Sequence, residues 1–324
     1  MHDQSPKIRG WRKPLITALK LTALLVVFWF VGKALYRAIQ LVDWTTVDFR
    51  ALPLVSGALV FLGTCAAGSL AYKLAYRGLG SDLSWTQSFV LLTLPPAGKY
   101  LPSKVVAVAG HAAIAKTFGV RLKTSGAGAM LIMGLGLASA ILLGILLLMV
   151  TPDAGRDVET VHLGLATGIL LVMLIALHPG IFWRAFNLIL HLLKQSPIEA
   201  TMGLGKISVL FFILMLHNGL YISGVSIMAF GFVAVPVPVL PMVIGACCLA
   251  NVAGFLALFA PAGLGVREGV LLVMLTPALD VGTAGLLVVV IRLVQTAADL
   301  ILAGAGFVTL RVRAKINSHS WREP

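Results

Sequence analysis

Long, almost uncharged apolar runs constrain this chain more than any other feature. Leu15–Gly32, Leu52–Leu70, Ala127–Val150 and Leu286–Leu310 are the clearest of them. A hydrocarbon core about 30 Å thick needs roughly 20 apolar residues at about 1.5 Å rise each. The runs meet that length. Of 324 residues, 59% are hydrophobic and 11% charged, whereas a soluble domain carries about 25% charged residues. The chain therefore reads as one all-α polytopic membrane domain, 1–324, with no substantial soluble part.

Charge placement gives an orientation. The net charge of +13 does not point to nucleic acid, because the basic residues collect in alternate gaps between spans, as cytoplasmic loops do. Lys7, Arg9, Arg12 and Lys13 form the first set. Lys73/Arg77, Lys116/Arg121/Lys123, Arg184/Lys194/Lys206 and Arg311/Arg313/Lys315/Arg322 follow. Asp43, Asp48, Asp153, Asp157, Glu159 and Asp280 fall on the other side, with Lys33 and Arg37 as exceptions. The expectation is a cell inner-membrane protein with both termini cytoplasmic. Met1–Pro14 is polar and basic, and no small-residue cleavage site follows the first run, so that run reads as a permanent span.

The spans are expected at about Leu15–Gly32, Leu52–Tyr72, Ser125–Val150, His162–Leu177, Ile207–Phe232 and Val281–Leu310. An amphipathic stretch to Arg50 should follow the first, and Phe182–Leu193 reads as an interfacial helix with Trp183 and Arg184 at head-group level. Two further apolar segments are broken. Ser84–Phe118 is interrupted by Pro95, Pro96, Gly98 and Pro102, and Val239–Leu275 by Pro261, Gly263 and Gly265. Irregular backbone at membrane depth survives only against protein or a water-filled cavity. Both segments therefore read as re-entrant hairpins, the first opening inward and the second outward. The expected architecture is about six full spans plus two hairpins, or eight spans if the hairpins cross.

The two breaks resemble each other. Pro96-Ala97-Gly98 and Pro261-Ala262-Gly263 lie 165 residues apart, each with apolar arms on both sides and a long span after. This predicts an inverted repeat, with halves at approximately 51–150 and 203–310 and a substrate site where the broken helices meet.

Ionisable residues near the breaks are the candidates for chemistry, since such groups at depth are costly and functional by default. Lys99 and Lys104 flank a helix that Pro102 would start, and a helix N-terminus with two lysines suits phosphate. Snorkelling to the interface is the other reading for them. His111 falls within two turns of Lys104. Arg267 and Glu268 follow the second break, where Gly263 and Gly265 permit unusual dihedrals. Arg292, Gln295 and Asp299 share one helical face. Glu268–Arg292 or Asp299–Arg267 pairs would lock hairpin to span, beside any substrate or proton-coupling role. His217, Asn218 and Asn251 read as interhelical hydrogen-bonding groups. Nothing resembles a nucleophile–base pair, a nucleotide loop or a metal cluster, so no enzymatic activity, metal or cofactor is expected. Cys65, Cys247 and Cys248 lie in apolar runs and read as buried small residues.

Lys99-Tyr100-Leu101-Pro102-Ser103-Lys104, with Gly110 and Phe118-Gly119 after it, resembles the "YLPGK…G" region of the lysylphosphatidylglycerol synthase transmembrane-region family of flippase-like membrane proteins. Ser103 stands where that family has glycine. Pro261-Ala262-Gly263-Leu264-Gly265-Val266-Arg267-Glu268-Gly269 resembles its "P-x-G-[LI]-G-x-x-E" signature, and Arg292 sits where the family places an arginine. The resemblance covers nearly the whole chain. It implies a stand-alone member, lacking the aminoacyl-transferase domain, that moves an anionic phospholipid or a polyprenyl-phosphate-linked lipid between leaflets. The substrate-binding set would be Lys99, Tyr100, Lys104, His111, Gly263, Gly265, Arg267, Glu268, Arg292 and Asp299. The alternative is a non-transporting partner subunit of a lipid-modifying enzyme or a glycosyltransferase.

Overall fold

The computed structural model describes residues 49–100, 104–151, 164, 167–172, 174–175, 177–192, 194, 196–197, 202–257, 263 and 265–319, with backbone alone at 99–100, 104–108 and 314–319. The expected first span, the stretch leading to Asp48 and positions 162–163, 165–166, 173 and 176 of the expected fourth span lie outside the described residues. Every regular element among the described residues is helical. In order they are α1 (Ala51–Gly78), α2 (Trp85–Thr93), a 3-10 turn (Pro95–Tyr100), α3 (Lys104–Thr117), α4 (Leu122–Met149), α5 (Pro179–Leu192), α6 (Leu204–Ala229), a 3-10 turn (Val237–Val239), α7 (Leu240–Leu256), α8 (Val266–Leu275) and α9 (Val281–His319).

Among the described residues, five segments are long and apolar enough to cross a membrane: α1, α4, α6, Val237–Leu256 and Val281–Arg313. The chain is thus a membrane-embedded helical protein. By contrast, α2 with 9 residues and α3 with 14 reach only about 14 and 21 Å. Neither crosses alone. The second broken segment is unlike the first here, because its leading arm is already of span length.

Local chemistry sets the ends. At α2, Ser84 Oγ accepts from Gln87 N–H at 3.3 Å while Gln87 Oε1 accepts from Ser84 N–H at 2.8 Å, a reciprocal N-terminal cap. Pro95 and Pro96 then end the helix, since proline has no N–H to continue it. Arg50 does the opposite service for another helix. Its guanidinium donates to the carbonyls of Phe230 (2.8 Å) and Val233 (2.7 Å), and its N–H to Gly231 O (2.8 Å). The carbonyls at the end of α6, which lack partners within that helix, are satisfied from the start of α1.

That contact is one end of a long seam. Leu54 meets Gly231, Gly57 meets Met228, Gly63 meets Leu220 and Gly68 meets His217. One helix climbs as the other descends, so α1 and α6 are antiparallel along their whole length. Glycine permits the approach: a Cβ on Gly57 would stand 2.8 Å from Gly224 O, and one on Gly224 2.9 Å from Gly57 O. Two other crossings matter. On α4 and α7, a Cβ added to Gly245 would stand 3.0 Å from Gly144 O, and Gly306 of α9 lies against Thr93 at the end of α2.

A helix, α5, stands where the sequence suggested an interfacial one; it is amphipathic as its sequence indicates, with Phe182, Trp183, Phe186 and Leu190 buried and Arg184 exposed. Trp183 departs from expectation. It is 3% exposed and packs into the core with α1, α4 and α6, its indole N–H reaching Met202 O at 3.4 Å. The indole serves as core packing here rather than as a head-group anchor. A second core gathers α6, α7, α8 and α9.

Candidate functional site

The polar residues of the second break converge on α9. Gly263 and Gly265 both have positive φ, +71° and +82°, a region open to glycine and strained for other residues. Gly263 is also tight, because a Cβ there would stand 2.7 Å from the Gly254 backbone. Gly265 precedes α8, and its N–H donates to Glu268 Oε2 at 2.6 Å. A carboxylate at this position complements the free N–H groups and the positive end of the helix. Its other oxygen meets Arg292 Nε at 2.5 Å.

The chain of contacts continues along α9. Arg292 Nη1 donates to Gln295 Oε1 at 3.2 Å, and Gln295 Nε2 to Asn251 Oδ1 of α7 at 3.4 Å. One turn further, Asp299 Oδ1 accepts the Tyr221 hydroxyl of α6 at 2.8 Å. Glu268–Arg292, one of the pairings the sequence suggested, is formed. Arg267 runs over Gly254, where any Cβ would collide with its stem. The α7 glycine is therefore the notch through which this arginine reaches inward.

It reaches a cavity of about 320 Å³, the lower end of the range for small-molecule sites. Arg267 and Asp299 line it together with Thr64, His217, Asn218, Tyr221 and Asn251, and apolar side chains such as Leu137 and Phe255 complete it. Thr64, Gly136 and His217 each stand midway along α1, α4 and α6, all of span length. The cavity therefore sits at mid-height of the helices that build it. Beyond Asn251 and Arg267, a water-sized space of about 10 Å³ continues toward Arg292 and Gln295.

The remaining expected residues divide as follows. Lys99, Tyr100 and Lys104 have side chains outside the described residues; their backbone lies in the 3-10 turn and at the start of α3. Pro96 and Ala97, from the same turn, line the cavity. His111 points elsewhere. It is 6% exposed, its Nε2 lies 2.6 Å from the Tyr76 hydroxyl, and its ring packs on Tyr72 and Tyr76 of α1. It ties α3 to α1 and is not among the cavity's lining residues.

Sequence reasoning weighed His217, Asn218 and Asn251 as interhelical hydrogen-bonding groups. They are that: His217 Nδ1 lies 3.1 Å from Thr64 O, and Asn218 Nδ2 donates to Gly136 O at 2.8 Å and Ser139 Oγ at 2.9 Å. They also line the cavity. Tyr221 went unnoticed, although its spacing from His217 and Asn218 puts all three within one turn of α6. No group of three or more metal-ligating side chains occurs among the described residues. No family model and no curated protein matches this chain.

Proposed function

We propose that this chain is an inner-membrane lipid translocase resembling the flippase-like lysylphosphatidylglycerol synthase transmembrane family. It carries an anionic phospholipid or a polyprenyl-phosphate-linked lipid between leaflets, and both its termini are cytoplasmic. The observation that carries this reading is the mid-height cavity lined by Arg267 and Asp299. Charged groups at that depth are costly unless a pathway needs them, and the cavity is about large enough for a head group whose acyl chains stay in the bilayer.

The fold order supports an inverted repeat. Long helix, two shorter helices, long helix runs from α1 to α4 and again from α6 to α9. The first members, α1 and α6, are antiparallel, as an in-plane twofold axis requires. The last helix of each half packs on the first arm of the other half's broken segment, α4 on α7 and α9 on α2. On this reading the broken segments are hairpins that enter from opposite faces, and α4–α7 and α9–α2 close the cavity above and below. Lys99, Lys104 and Arg267 bind the lipid phosphate. Glu268 and Arg292 hold the second hairpin to α9.

Reconstitution tests this. Purified protein alone in liposomes should translocate labelled phosphatidylglycerol, whereas a non-transporting partner subunit would not. Each of Lys99→Ala, Lys104→Ala and Arg267→Ala should weaken phosphatidylglycerol binding about ten- to a hundredfold, the loss of one charge-assisted contact. Normal binding in all three properly folded variants would remove the phosphate site.

A further inference from the structure

Two helix seams border the cavity, and they are built differently. Where α2 meets α9, Thr93 fits against Gly306: a Cβ added to that glycine would stand 3.3 Å from Thr93 Cβ and collide with its hydroxyl. Thr93 lines the cavity, as do Pro96 and Ala97 beyond it, and Leu302, one turn before Gly306, lines it from α9. The seam is therefore a cavity wall. Its polar content is small. Thr93 Oγ1 donates back to Phe89 O of its own helix at 2.8 Å, so its hydrogen is spent within α2. The described hydrogen bonds between α2 and α9 are those of Arg313 with Ser84 and Thr86, exposed and at the opposite end of α2.

The other seam joins two helices of span length, α4 and α7. Gly245 lies so near Gly144 that an added Cβ would stand 3.0 Å from its carbonyl oxygen, and Leu147 and Leu148 close around the crossing. The second broken segment adds the Glu268–Arg292 pair, whose opening strands a charge. Parting α2 from α9 strands neither a charge nor a buried hydrogen bond among the described residues. In a bilayer, acyl chains replace the lost apolar contacts at little cost, since lipid is as apolar as the side chains it displaces. Meanwhile α2 keeps a seat on α1, where Leu91 is buried in the core and Leu92 lies against Gly68. Elements that move are drawn from the least tightly held ones. We propose that the α2–α9 seam is the door of the cavity: α2 swings off α9 while seated on α1 and opens the cavity between Thr93 and Leu302. That lipid passes through this door rests on the translocase reading; the door itself rests on the seam.

The test reads access and transport separately on the purified full-length chain. Cys65, Cys247 and Cys248 are replaced by Ala, and Leu137→Cys on the cavity wall reports access by its rate of reaction with a small methanethiosulfonate. Gly306→Val unseats Thr93, and labelling should quicken about tenfold, as about 1.4 kcal/mol taken from the closed state would give. Gly245→Ala crowds the α4–α7 crossing instead and should leave the rate unchanged. Unchanged labelling in a folded Gly306→Val chain overturns the inference, as does an equal acceleration by Gly245→Ala. If Gly306→Val does not fold, Gly306→Ala replaces it, since its Cβ still collides with Thr93 Oγ1; a smaller acceleration is then expected, and none overturns the door. In a second chain without Leu137→Cys, Thr93→Cys with Gly306→Cys bolts the seam, because a Cβ separation of 3.3 Å is near the ~3.8 Å of a disulfide. Oxidation should stop phosphatidylglycerol translocation in liposomes, and reduction should restore it. Undiminished translocation by the oxidised pair overturns the door. If the reduced chain moves no lipid while Gly306→Val quickens labelling as expected, the translocase reading falls and the door stands.

Discussion

The two broken segments meet the same physical problem with different chemistry. In the first, prolines end α2 and a 3-10 turn leads toward α3. In the second, two glycines with positive φ make the turn, and Glu268 closes the start of α8. Both depend on α9. The second is fixed by the ion pair of Glu268 with Arg292, in the N-terminal half of α9. The first is fixed near the helix end, where Gly306 receives Thr93 and Arg313 donates to Ser84 Oγ (3.0 Å) and Thr86 Oγ1 (2.9 Å). A largely buried ion pair is an all-or-nothing joint, because removing one partner strands the other. Exposed hydroxyl contacts exchange readily with water. The difference makes the first segment the easier of the two to release.

The largest effect should come from breaking the buried joint. Arg292→Ala leaves the Glu268 carboxylate without its guanidinium and should cost about 3 kcal/mol, read as a lowered unfolding midpoint in detergent. Arg292→Lys should recover part of it, since charge returns without the planar fork. Stability equal to the unsubstituted protein would mean that the second segment is held by packing alone.

The glycine turn sharpens the contrast. At Gly265→Ala the space is open and only the positive φ is strained, about 1 kcal/mol. Gly263→Ala adds a collision with the Gly254 backbone and should cost at least twice that, with displacement of Arg267. Equal costs, measured by the same unfolding midpoints, would show that the turn relaxes. On the first segment, Arg313→Ala should lose less than about 1 kcal/mol, as exposed polar contacts do. It should nonetheless speed labelling of a cysteine placed at Thr86. No change in labelling would mean that Gly306 and Thr93 hold the joint by themselves.

The smallest expected effect is a pH dependence at the other end of α9. Asp280 accepts the Thr283 N–H at 3.0 Å, and this bond holds its carboxyl below the usual value of 3.8. A depressed carboxyl stabilises the folded state above the unfolded-state value, and that contribution is lost as pH falls through the folded one. The unfolding midpoint should therefore drop slightly below about pH 4, and Asp280→Asn should flatten that change. An unchanged acid profile in the variant would assign the drop to other carboxylates.

How legible all this was depended on what each residue type announces. The helices α1, α4, α6 and α9 follow from uninterrupted apolar length, and the breaks from Pro and Gly at fixed positions. Arg292, Gln295 and Asp299 were legible as one face because charges stand out in an apolar helix. The cavity side of α6 was not. Apolar residues occur on every side of that helix, so no stripe tells protein from lipid, and His217, Asn218 and Tyr221 give no hint of facing a void. Trp183 misled for a related reason: indole suits head-group level and core alike. The pairing of His111 with Tyr76 needed two helices 35 residues apart in sequence to be brought together.

The antiparallel seam has a consequence for how the protein is made. Gly57, Gly63 and Gly68 leave the ribosome well before their partners Met228, Leu220 and His217 exist. Until α6 is inserted, the glycine face of α1 has only lipid or a chaperone against it, and Arg50 has no helix end to close. When α6 arrives, its carbonyl end and that face are satisfied together. Biogenesis would then have a late checkpoint: the oldest described helix is not finished until one of the younger ones locks onto it.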